Sequence, residues 1–183
     1  MSPLLRASGR RTRRIKRHFC FKGINSMKFA DFIRSSAIRA GLEATDKEGV
    51  IRELVAALVE SNDIPEEHGD EIVQGVLKRE ELGSTGIGRG VAVPHAKHPK
   101  VERPLGTVGI SPQGVDFNSL DGERVHLFFL LISPGNNASD HLRALEHISQ
   151  QLKEDTFCRF LKQARTVEEV QQLLEEADAR QGD

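Results

Sequence analysis

The sequence has no tryptophan and no tyrosine, so its nine phenylalanines supply the whole aromatic content of 5%. Proteins that bind single-stranded nucleic acids stack the bases on aromatic side chains, and this scarcity argues against such a ligand. Long apolar segments are also absent, since the longest run, from Leu127 to Ile132, falls far short of the roughly 20 residues that span a bilayer. These absences exclude membrane insertion, lead us to expect no nucleic-acid partner, and leave an ordinary globular protein with 38% apolar residues.

Cysteine is scarce as well. The two residues, Cys20 and Cys158, lie far apart, match no zinc or redox spacing, and are too few for a disulfide framework. A reducing compartment is therefore the default, and we expect a cytoplasmic location. A secretory signal is excluded, because no apolar core of about 7 to 15 residues follows the basic stretch near the start.

Acidic side chains are missing from the first 26 residues, which carry eight basic ones. The basic residues are Arg6, Arg10, Arg11, Arg13, Arg14, Lys16, Arg17 and Lys22. Because the whole chain has a net charge of −1, this contribution of +8 leaves about −9 for the remainder. Basic arms are typical of nucleic-acid binding, of membrane binding and of organellar transit peptides. We instead interpret residues 1–26 as a disordered extension or an over-assigned start, and residues 27–183 as one domain, because a patterned segment begins at Met27.

Two amphipathic helices are predicted in the first half of the domain. Thr45 to Glu48 match a capping box, and the apolar residues from Val50 to Val59 recur at helical spacing. A second helix is expected to begin near Pro65 and to continue towards Leu82. The next segment, from Gly83 to His95, has four glycines and a proline around a short β-branched run. This pattern predicts a loop, a brief strand that ends just before the histidine, and a turn.

Strands and helices are also predicted in the second half. Strands are expected from Leu105 to Ile110 and from Val125 to Ile132, and the second is apolar enough to be the central strand. Ser139 is the expected N-cap of the helix that follows, and a capping box at Thr166 opens the terminal helix. The buried face of the first of these helices is predicted to contain Leu142, Leu145, Ile148 and Leu152. Helices before, between and after strands indicate an α/β sandwich of three layers.

Most of the seven histidines are interpreted as structural or solvated, and His98 as part of an exposed loop. His95 lies between a glycine-rich turn and Lys97, where backbone amides and a cation approach the edge of the sheet. His141 would lie in the first helical turn after Ser139, where the unpaired amides can bind an anion. Both positions suit a phosphate group, although a histidine at the end of a strand is more often structural.

A histidine in such a position can carry a phosphoryl group. Its unperturbed pKa of about 6.5 leaves much of it neutral and nucleophilic at pH 7. A carrier histidine needs one exposed ring nitrogen, a partner that fixes the tautomer, and donors or cations for the phosphoryl oxygens. The candidate cations are Arg79, Lys97 and Arg89, each of which could equally be an ordinary surface charge. The remaining candidates for phosphate binding are Ser139 and Gly88.

Other chemistries find less support. The glycine-rich segment lacks the G-x-x-x-x-G-K-[ST] pattern of a P-loop, and Val91 occupies the last glycine position of a dinucleotide motif. Zinc is the competing hypothesis, with His95, His98 and His141 as nitrogen ligands. Its spacing is weak, because the three-residue offset lies on a proline-containing loop without a neighbouring catalytic glutamate.

The stretch from Lys78 to His98, KREELGSTGIGRGVAVPHAKH, resembles the active-site region of the enzyme IIA domain of the bacterial phosphoenolpyruvate-dependent phosphotransferase system, fructose/mannitol type. The similarity continues through VHLFFLLISPGNNASDHLRALEHIS and DTFCRFLKQARTVEEVQQLL, and is greatest to the nitrogen-regulatory, PtsN-like branch. This resemblance implies that His95 is phosphorylated by the phosphohistidine of a small carrier, HPr or its nitrogen-branch counterpart NPr. It also implies that His141 is the second active-site histidine and that Arg79 is the active-site arginine.

The same resemblance implies a mixed, mostly parallel central sheet with helices on both faces, and no metal or organic cofactor. The chain departs from the family at one loop position, between the last two glycines, where asparagine is common and this sequence has Arg89. We expect the Arg89 side chain to point into solvent.

Three functions are compatible with the resemblance. The first is a regulatory phosphoryl carrier, whose phosphorylation state controls its binding to a target protein. The second is a sugar-uptake component that passes phosphate to an enzyme IIB partner. We favour the first, since neither an enzyme IIB segment nor a membrane segment is attached. The third is a binding module that never turns over phosphate, and the presence of all three matched residues argues against it.

Overall fold

The computed structural model describes residues 27–180, so the interpretation of residues 1–26 lies outside the described residues. In chain order, the elements are α1 (Phe29–Phe32), a 3-10 turn (Ser35–Ala37), α2 (Lys47–Glu60), α3 (Glu66–Glu81), β1 (Gly86–Gly88), β2 (Val91–Ala92), β3 (His95–His98), β4 (Leu105–Val115), β5 (Val125–Pro134), α4 (Ala138–Gln151), α5 (Asp155–Gln163) and α6 (Val167–Arg180). Within this part of the chain, no helix combines the length and the apolar character needed to cross a membrane.

Strand β5 is the centre of the five-stranded sheet, as its apolar sequence predicts. The short strands β2 and β3 lie one after the other along one edge of β5 and run parallel to it. Strand β4 covers the other edge in the antiparallel direction, and β1 pairs antiparallel with β2. Three of the five strands therefore run in the same direction. The expected α/β sandwich with a mixed, mostly parallel sheet is confirmed.

The hydrophobic core has two layers, one on each face of β5. The even-numbered residues from 128 to 132 pack with the apolar faces of α2 and α3. The odd-numbered residues from 127 to 131 pack with α1, α4, α5 and α6 on the opposite face. Successive side chains of a strand point to opposite faces, so a sheet covered on both sides needs an uninterrupted apolar run.

The capping predictions were right at one helix and shifted at another. At α6, the Thr166 hydroxyl accepts a hydrogen bond from the Glu169 N–H at 3.2 Å, which confirms the predicted cap. At α2, the N-cap is Asp46 instead of Thr45, and its carboxylate accepts a bond from the Gly49 N–H at 2.9 Å. Both residues can cap a helix, but a carboxylate also interacts favourably with the positive end of the helix dipole.

Helix α4 begins earlier than predicted, because Asn137 caps it instead of Ser139. The Asn137 side-chain oxygen accepts a hydrogen bond from the Asp140 N–H at 3.2 Å. The buried face of the helix includes Ala144, whereas Leu142, which we expected on that face, is 63% exposed. With 3.6 residues per turn, two positions along a helix correspond to roughly half a turn, so these two residues point in nearly opposite directions.

The largest departure from prediction concerns β3, which was expected to be loop. His98 closes this strand and is only 4% exposed, so its interpretation as an exposed loop residue was wrong. His95 begins β3, whereas we expected it to follow the end of a strand. Strand β3 forms because it pairs with β5, which lies far along the chain. Its own sequence is polar and contains no local strand pattern.

Candidate functional site

His95 is held at the edge of the sheet by the backbone that precedes it. The chain leaves β2 after Ala92, turns at Val93 and Pro94, and re-enters the sheet as β3. The Pro94 carbonyl accepts a hydrogen bond from the Leu131 N–H at 3.0 Å, so the turn itself is attached to β5. The first pair of the β3–β5 register is then His95 with Leu131. The imidazole therefore projects from backbone that is fixed to the central strand.

The hydrogen bonding of His95 determines which ring nitrogen is available. Nδ1 lies 2.8 Å from the Val93 carbonyl oxygen, and since a carbonyl only accepts, Nδ1 donates the proton. Nε2 then carries the lone pair. Burial lowers the pKa of His95, and the nearby charge of Arg79 lowers it further, against an opposing contribution from the Val93 hydrogen bond. The ring is consequently neutral and nucleophilic at pH 7.

His141 faces His95 from helix α4. The two ring centroids are 5.5 Å apart with an interplanar angle of 49°, and His141 is 7% exposed. Its Nδ1 is 2.9 Å from the hydroxyl of Ser133, near the end of β5, which fixes the orientation of the ring. Burial lowers the pKa of His141 to about 4, with additional contributions from His95 and from the charge of Lys97. This second ring is also neutral at pH 7.

Two of the predicted cations belong to the same site. Arg79 lies in the last turn of α3, and its guanidinium reaches back over the following loop to donate to the Gly83 carbonyl at 3.1 Å. Lys97 is two residues after His95 on β3, so its exposed side chain leaves the same face of the strand. The charges of these two residues lower the pKa values of His95 and His141, respectively. The structure thus brings together four of the residues predicted from sequence.

Gly88 and Ser139 were both predicted to bind phosphate, and Ser139 was also predicted to cap α4. The Gly88 N–H donates to the Ser119 hydroxyl at 3.2 Å, so this amide is engaged within the protein and we do not retain it as a phosphate ligand. Gly88 has φ = +91°, and a Cβ atom there would lie 2.9 Å from the Asp121 carboxylate, so the position requires glycine for conformation. Ser139 is the second residue of α4, with an exposed side chain and its amide in the first turn.

Arg89 was expected to point into solvent, and this prediction was wrong. Its guanidinium donates to the Asp155 carboxylate and to the Leu152 carbonyl, which join the glycine-rich loop to the region between α4 and α5. The Arg89 carbonyl also accepts a bond from Lys162 Nζ at 2.8 Å, and its N–H donates to Asp121 at 2.7 Å. Arg89 therefore anchors the loop that precedes β2.

Glu80 is a buried neighbour of the site that our sequence analysis missed. Its carboxylate accepts hydrogen bonds from the Thr85 hydroxyl at 2.6 Å and from Lys47 Nζ at 3.0 Å. Burial favours a higher pKa for Glu80, but the hydrogen bonds outweigh it and the pKa is lowered. The Thr85 carbonyl accepts the Val93 N–H at 3.0 Å, so this cluster supports the turn that leads into β3. Helical periodicity could have identified Glu80, which lies four residues after the buried Val76.

The zinc hypothesis based on His95, His98 and His141 is not compatible with the strand geometry. Side chains alternate along β3, so His95 faces α4 whereas His98 faces α3, where Glu71 lies 3.1 Å from its Nε2. One metal ion cannot contact both of these faces.

Comparison with known proteins identifies the family. Residues 31–177 match the family described as phosphoenolpyruvate-dependent sugar phosphotransferase system, EIIA 2. The chain is 32% identical over 148 residues to a nitrogen regulatory protein of Bradyrhizobium diazoefficiens, with 81% of this chain and 95% of that protein covered. A fructose-specific EIIABC component of Bacillus subtilis is also 32% identical, over 83% of this chain but only 24% of that protein.

Solved structures share the fold. The nitrogen regulatory protein IIA-Ntr from Neisseria meningitidis has a TM-score of 0.72 and 27% identity, covering 80% of this chain and 98% of that one. The IIA mannitol structure from Escherichia coli has a TM-score of 0.65 and 26% identity, covering 77% and 97%. The chain therefore belongs to the EIIA 2 family of the phosphoenolpyruvate-dependent sugar phosphotransferase system, whose members are phosphotransferases that act through a phosphohistidine.

Proposed function

We propose that the protein is a phosphoryl carrier of the nitrogen-regulatory type, which accepts phosphate on Nε2 of His95 from the phosphohistidine of an HPr-type or NPr-type protein. The observation that carries this proposal is the hydrogen bond from His95 Nδ1 to the Val93 carbonyl. This bond fixes the tautomer, so Nε2 can attack phosphorus without first losing a proton.

The transfer needs no reactant other than the donor phosphohistidine and His95. The Nε2 lone pair of His95 forms a bond to phosphorus, while the phosphorus–nitrogen bond of the donor histidine breaks. The bonding pair returns to the donor nitrogen, and the proton on His95 Nδ1 stays where it is. The Val93 carbonyl stabilises the positive charge that the ring acquires in the transition state, because Nδ1 still donates to it.

Four groups stabilise the phosphoryl oxygens. We assign His141 the tautomer in which the Ser133 hydroxyl, 2.9 Å away, donates to Nδ1, and this leaves the Nε2–H of that ring as a donor towards the phosphoryl group. Arg79 offers a planar set of donors suited to phosphate, and Lys97 offers a compact charge. The first-turn amide of Ser139 points in the direction in which helices bind anions.

The donor carrier docks on exposed apolar side chains around the site. Leu82, Ile87 and Leu142 are 82%, 45% and 63% exposed, and they lie at the end of α3, in β1 and directly after His141. Large apolar side chains that surround a polar centre are typical of a protein interface.

A regulatory role is favoured over a role in sugar uptake. The TM-score is 0.72 to the nitrogen regulatory protein IIA-Ntr from Neisseria meningitidis and 0.65 to IIA mannitol from Escherichia coli, which supports the regulatory branch. In the regulatory role, a phosphoryl group on His95 adds negative charge to an exposed surface and so changes the affinity for a target protein. We expect this to occur in the cytoplasm, as the cysteine usage indicates.

Phosphotransfer from phosphoenolpyruvate, through enzyme I and HPr or NPr, tests the carrier chemistry. Intact mass measured under conditions that preserve acid-labile phosphate should show one added phosphoryl group in the wild type and none in His95→Ala. The matched control is His68→Ala, which removes a histidine on the other face of the sheet and should be phosphorylated as the wild type is. Absence of labelling with every carrier would overturn the proposal in favour of a binding module.

The two biological roles are separated by a second transfer. Phosphorylated protein is mixed with a fructose-type enzyme IIB, and the loss of its phosphoryl group is followed by mass. A regulator should retain the group for much longer than a fructose-type enzyme IIA domain measured in parallel, whereas equally rapid transfer would assign it to sugar uptake.

The domain boundary is tested in the same assay. A shortened protein that starts at Met27 should be phosphorylated at the same rate and unfold at the same temperature as the full chain. A loss of either property would show that residues 1–26 belong to the functional domain.

A further inference from the structure

A second histidine pair lies on the opposite face of the sheet from the phosphoryl site. His98 closes β3 and points towards helix α3, where His68 and Glu71 occupy positions three residues apart. Residues three apart on a helix are neighbours on one surface, so both side chains face the end of the strand. Within residues 27–180, this trio is the one group of three potential metal ligands whose donor atoms all lie within 4.8 Å of one another.

The buried His98 ring is aimed at this group without being hydrogen bonded to it. His98 is 4% exposed, and its Nε2 lies 3.1 Å from a carboxylate oxygen of Glu71. Among the described residues, however, no group meets this nitrogen with the geometry of a hydrogen bond. Nε2 of His98 is therefore a buried ring atom that has no hydrogen bond and lies close to a carboxylate oxygen. The His68 ring centroid is 5.4 Å from that of His98.

We propose that His68, Glu71 and His98 form a binding site for a divalent transition-metal ion such as zinc. Two imidazole nitrogens and one carboxylate oxygen are a ligand set that suits zinc, iron(II) or cobalt(II) and leaves coordination positions open. Metal–ligand distances of about 2.0 to 2.2 Å correspond to tetrahedral ligand separations of roughly 3.3 to 3.6 Å. The separation of 3.1 Å between His98 Nε2 and the Glu71 carboxylate is close to this range, and rotation of the half-buried His68 brings in the third ligand.

A cavity next to the two histidines gives an ion and its water access to the site. It has a volume of about 210 Å³ and is lined by both histidines together with Asp63, Lys100 and Arg103. This volume admits several water molecules, so a hydrated ion can enter and keep one or two of its waters. The site therefore has an access route as well as ligands.

Metal binding changes one existing contact. The Lys100 N–H lies 3.4 Å from Nδ1 of His98, at the long limit of a hydrogen bond. A ring that binds metal through Nε2 carries its proton on Nδ1, so this weak contact is lost when the ion binds. Lys100 is exposed, and its amide can bond to water instead.

The site is independent of the proposed phosphoryl transfer, because its residues lie on the α3 side of β3 and His95 lies on the α4 side. Zinc titration of the full chain, previously treated with a chelator, should give one equivalent by calorimetry and by native mass spectrometry. His68→Ala and Glu71→Gln should each weaken zinc binding by more than roughly tenfold. Loss of a residue that only supports a ligand already weakens metal binding by about 10- to 100-fold, and these residues are ligands themselves. Cobalt(II) should give the visible absorption of an ion bound directly to imidazole, and His68→Ala should abolish it.

Two control variants show where the ion binds. Glu67→Gln changes another exposed glutamate of α3 and should bind zinc as tightly as the wild type. His95→Ala removes the phosphoryl site and should also bind normally. The proposal is overturned if the wild type binds no zinc, if His95→Ala loses the ion while His68→Ala retains it, or if His68→Ala and Glu71→Gln both leave the affinity unchanged. The last result would assign the ion to other residues of the chain.

Discussion

His95 and His147 have the same side chain but different hydrogen-bond partners, a backbone carbonyl and a buried carboxylate. His95 donates to a neutral carbonyl, that of Val93, with the guanidinium of Arg79 nearby. His147 lies inside the core, where its Nε2 is 3.1 Å from a carboxylate oxygen of the buried Asp178. The Asp178 carboxylate engages Nε2 of His147, whereas the bond from Nδ1 of His95 to the Val93 carbonyl leaves Nε2 of His95 available for reaction.

The His147 region fastens elements of the fold together. The Asp178 carboxylate also accepts hydrogen bonds from the N–H groups of Phe29 at 2.8 Å and Ala30 at 3.0 Å. Helix α6 is joined in this way to both α1 and α4. The comparison indicates that the ring nitrogen that is engaged, and the partner that engages it, distinguish the proposed reactive site from the structural one.

The largest effect is expected from a substitution in the structural cluster around His147. Asp178→Ala removes the buried carboxylate that accepts from the first amides of α1 and contacts His147, and should lower the free energy of unfolding by about 3 to 5 kcal/mol. Urea denaturation measures this change, with Glu175→Ala, an exposed position of the same helix, as the control. Phosphorylation per folded molecule should be unchanged. Equal stability of the two variants would show that the cluster does not fasten the fold.

The next largest effect concerns the reactive side. His141→Ala removes a donor to the phosphoryl oxygens and should slow the phosphorylation of His95 by about 100-fold, as for other preorganised donors. Rapid-quench kinetics with phosphorylated HPr or NPr measures the rate, and Ser149→Ala, exposed on the same helix, serves as the control. A rate within threefold of the wild type would remove His141 from the mechanism.

A third effect is a pH dependence of stability. The folded pKa of His141 is about 4, below its unfolded value of about 6.5, so between these values the unfolded chain binds a proton that the folded chain does not. Stability should therefore decrease as the pH falls through this window, by roughly 2 kcal/mol between pH 7 and pH 5. His141→Gln should lack this part of the decrease, and identical pH profiles for both proteins would contradict the assignment.

The smallest effect concerns the loop anchor. Arg89→Asn keeps a residue type that tolerates the φ of +58° found here, but it loses the guanidinium contacts to Leu152 and Asp155. Since the Arg89 side chain is half exposed, thermal unfolding should show a loss of no more than about 1 kcal/mol. A larger loss would show that the loop depends on this anchor.

Local signals in the sequence singled out the residues of the proposed phosphoryl site, and the resemblance to enzyme IIA domains assigned their roles. His95 follows a glycine-rich turn and a proline, His141 lies in a first helical turn, and Arg79 ends an amphipathic helix. Each of these signals is contained within a few residues. The central strand could also be predicted, since a continuous apolar run indicates a strand that is buried on both faces.

The remaining features depend on partners that are distant in the sequence. His98 is buried because β3 pairs with β5 and packs against α3, and its own polar neighbours do not indicate this. Arg89 is fixed by Leu152 and Asp155, which belong to a different part of the chain. Two of the N-caps were shifted by one or two residues, because nearby residues of similar capping ability compete and only the surrounding backbone decides between them.

The position of the phosphoryl group on the His95 ring tests the central claim most directly. Protein labelled with nitrogen-15 is phosphorylated through HPr or NPr, and long-range proton–nitrogen spectra identify the substituted nitrogen. Because Nδ1 of His95 donates to the Val93 carbonyl, we expect a single phosphohistidine substituted at Nε2 of His95. A phosphoryl group on Nδ1, or on another histidine in His95→Ala, would contradict the mechanism.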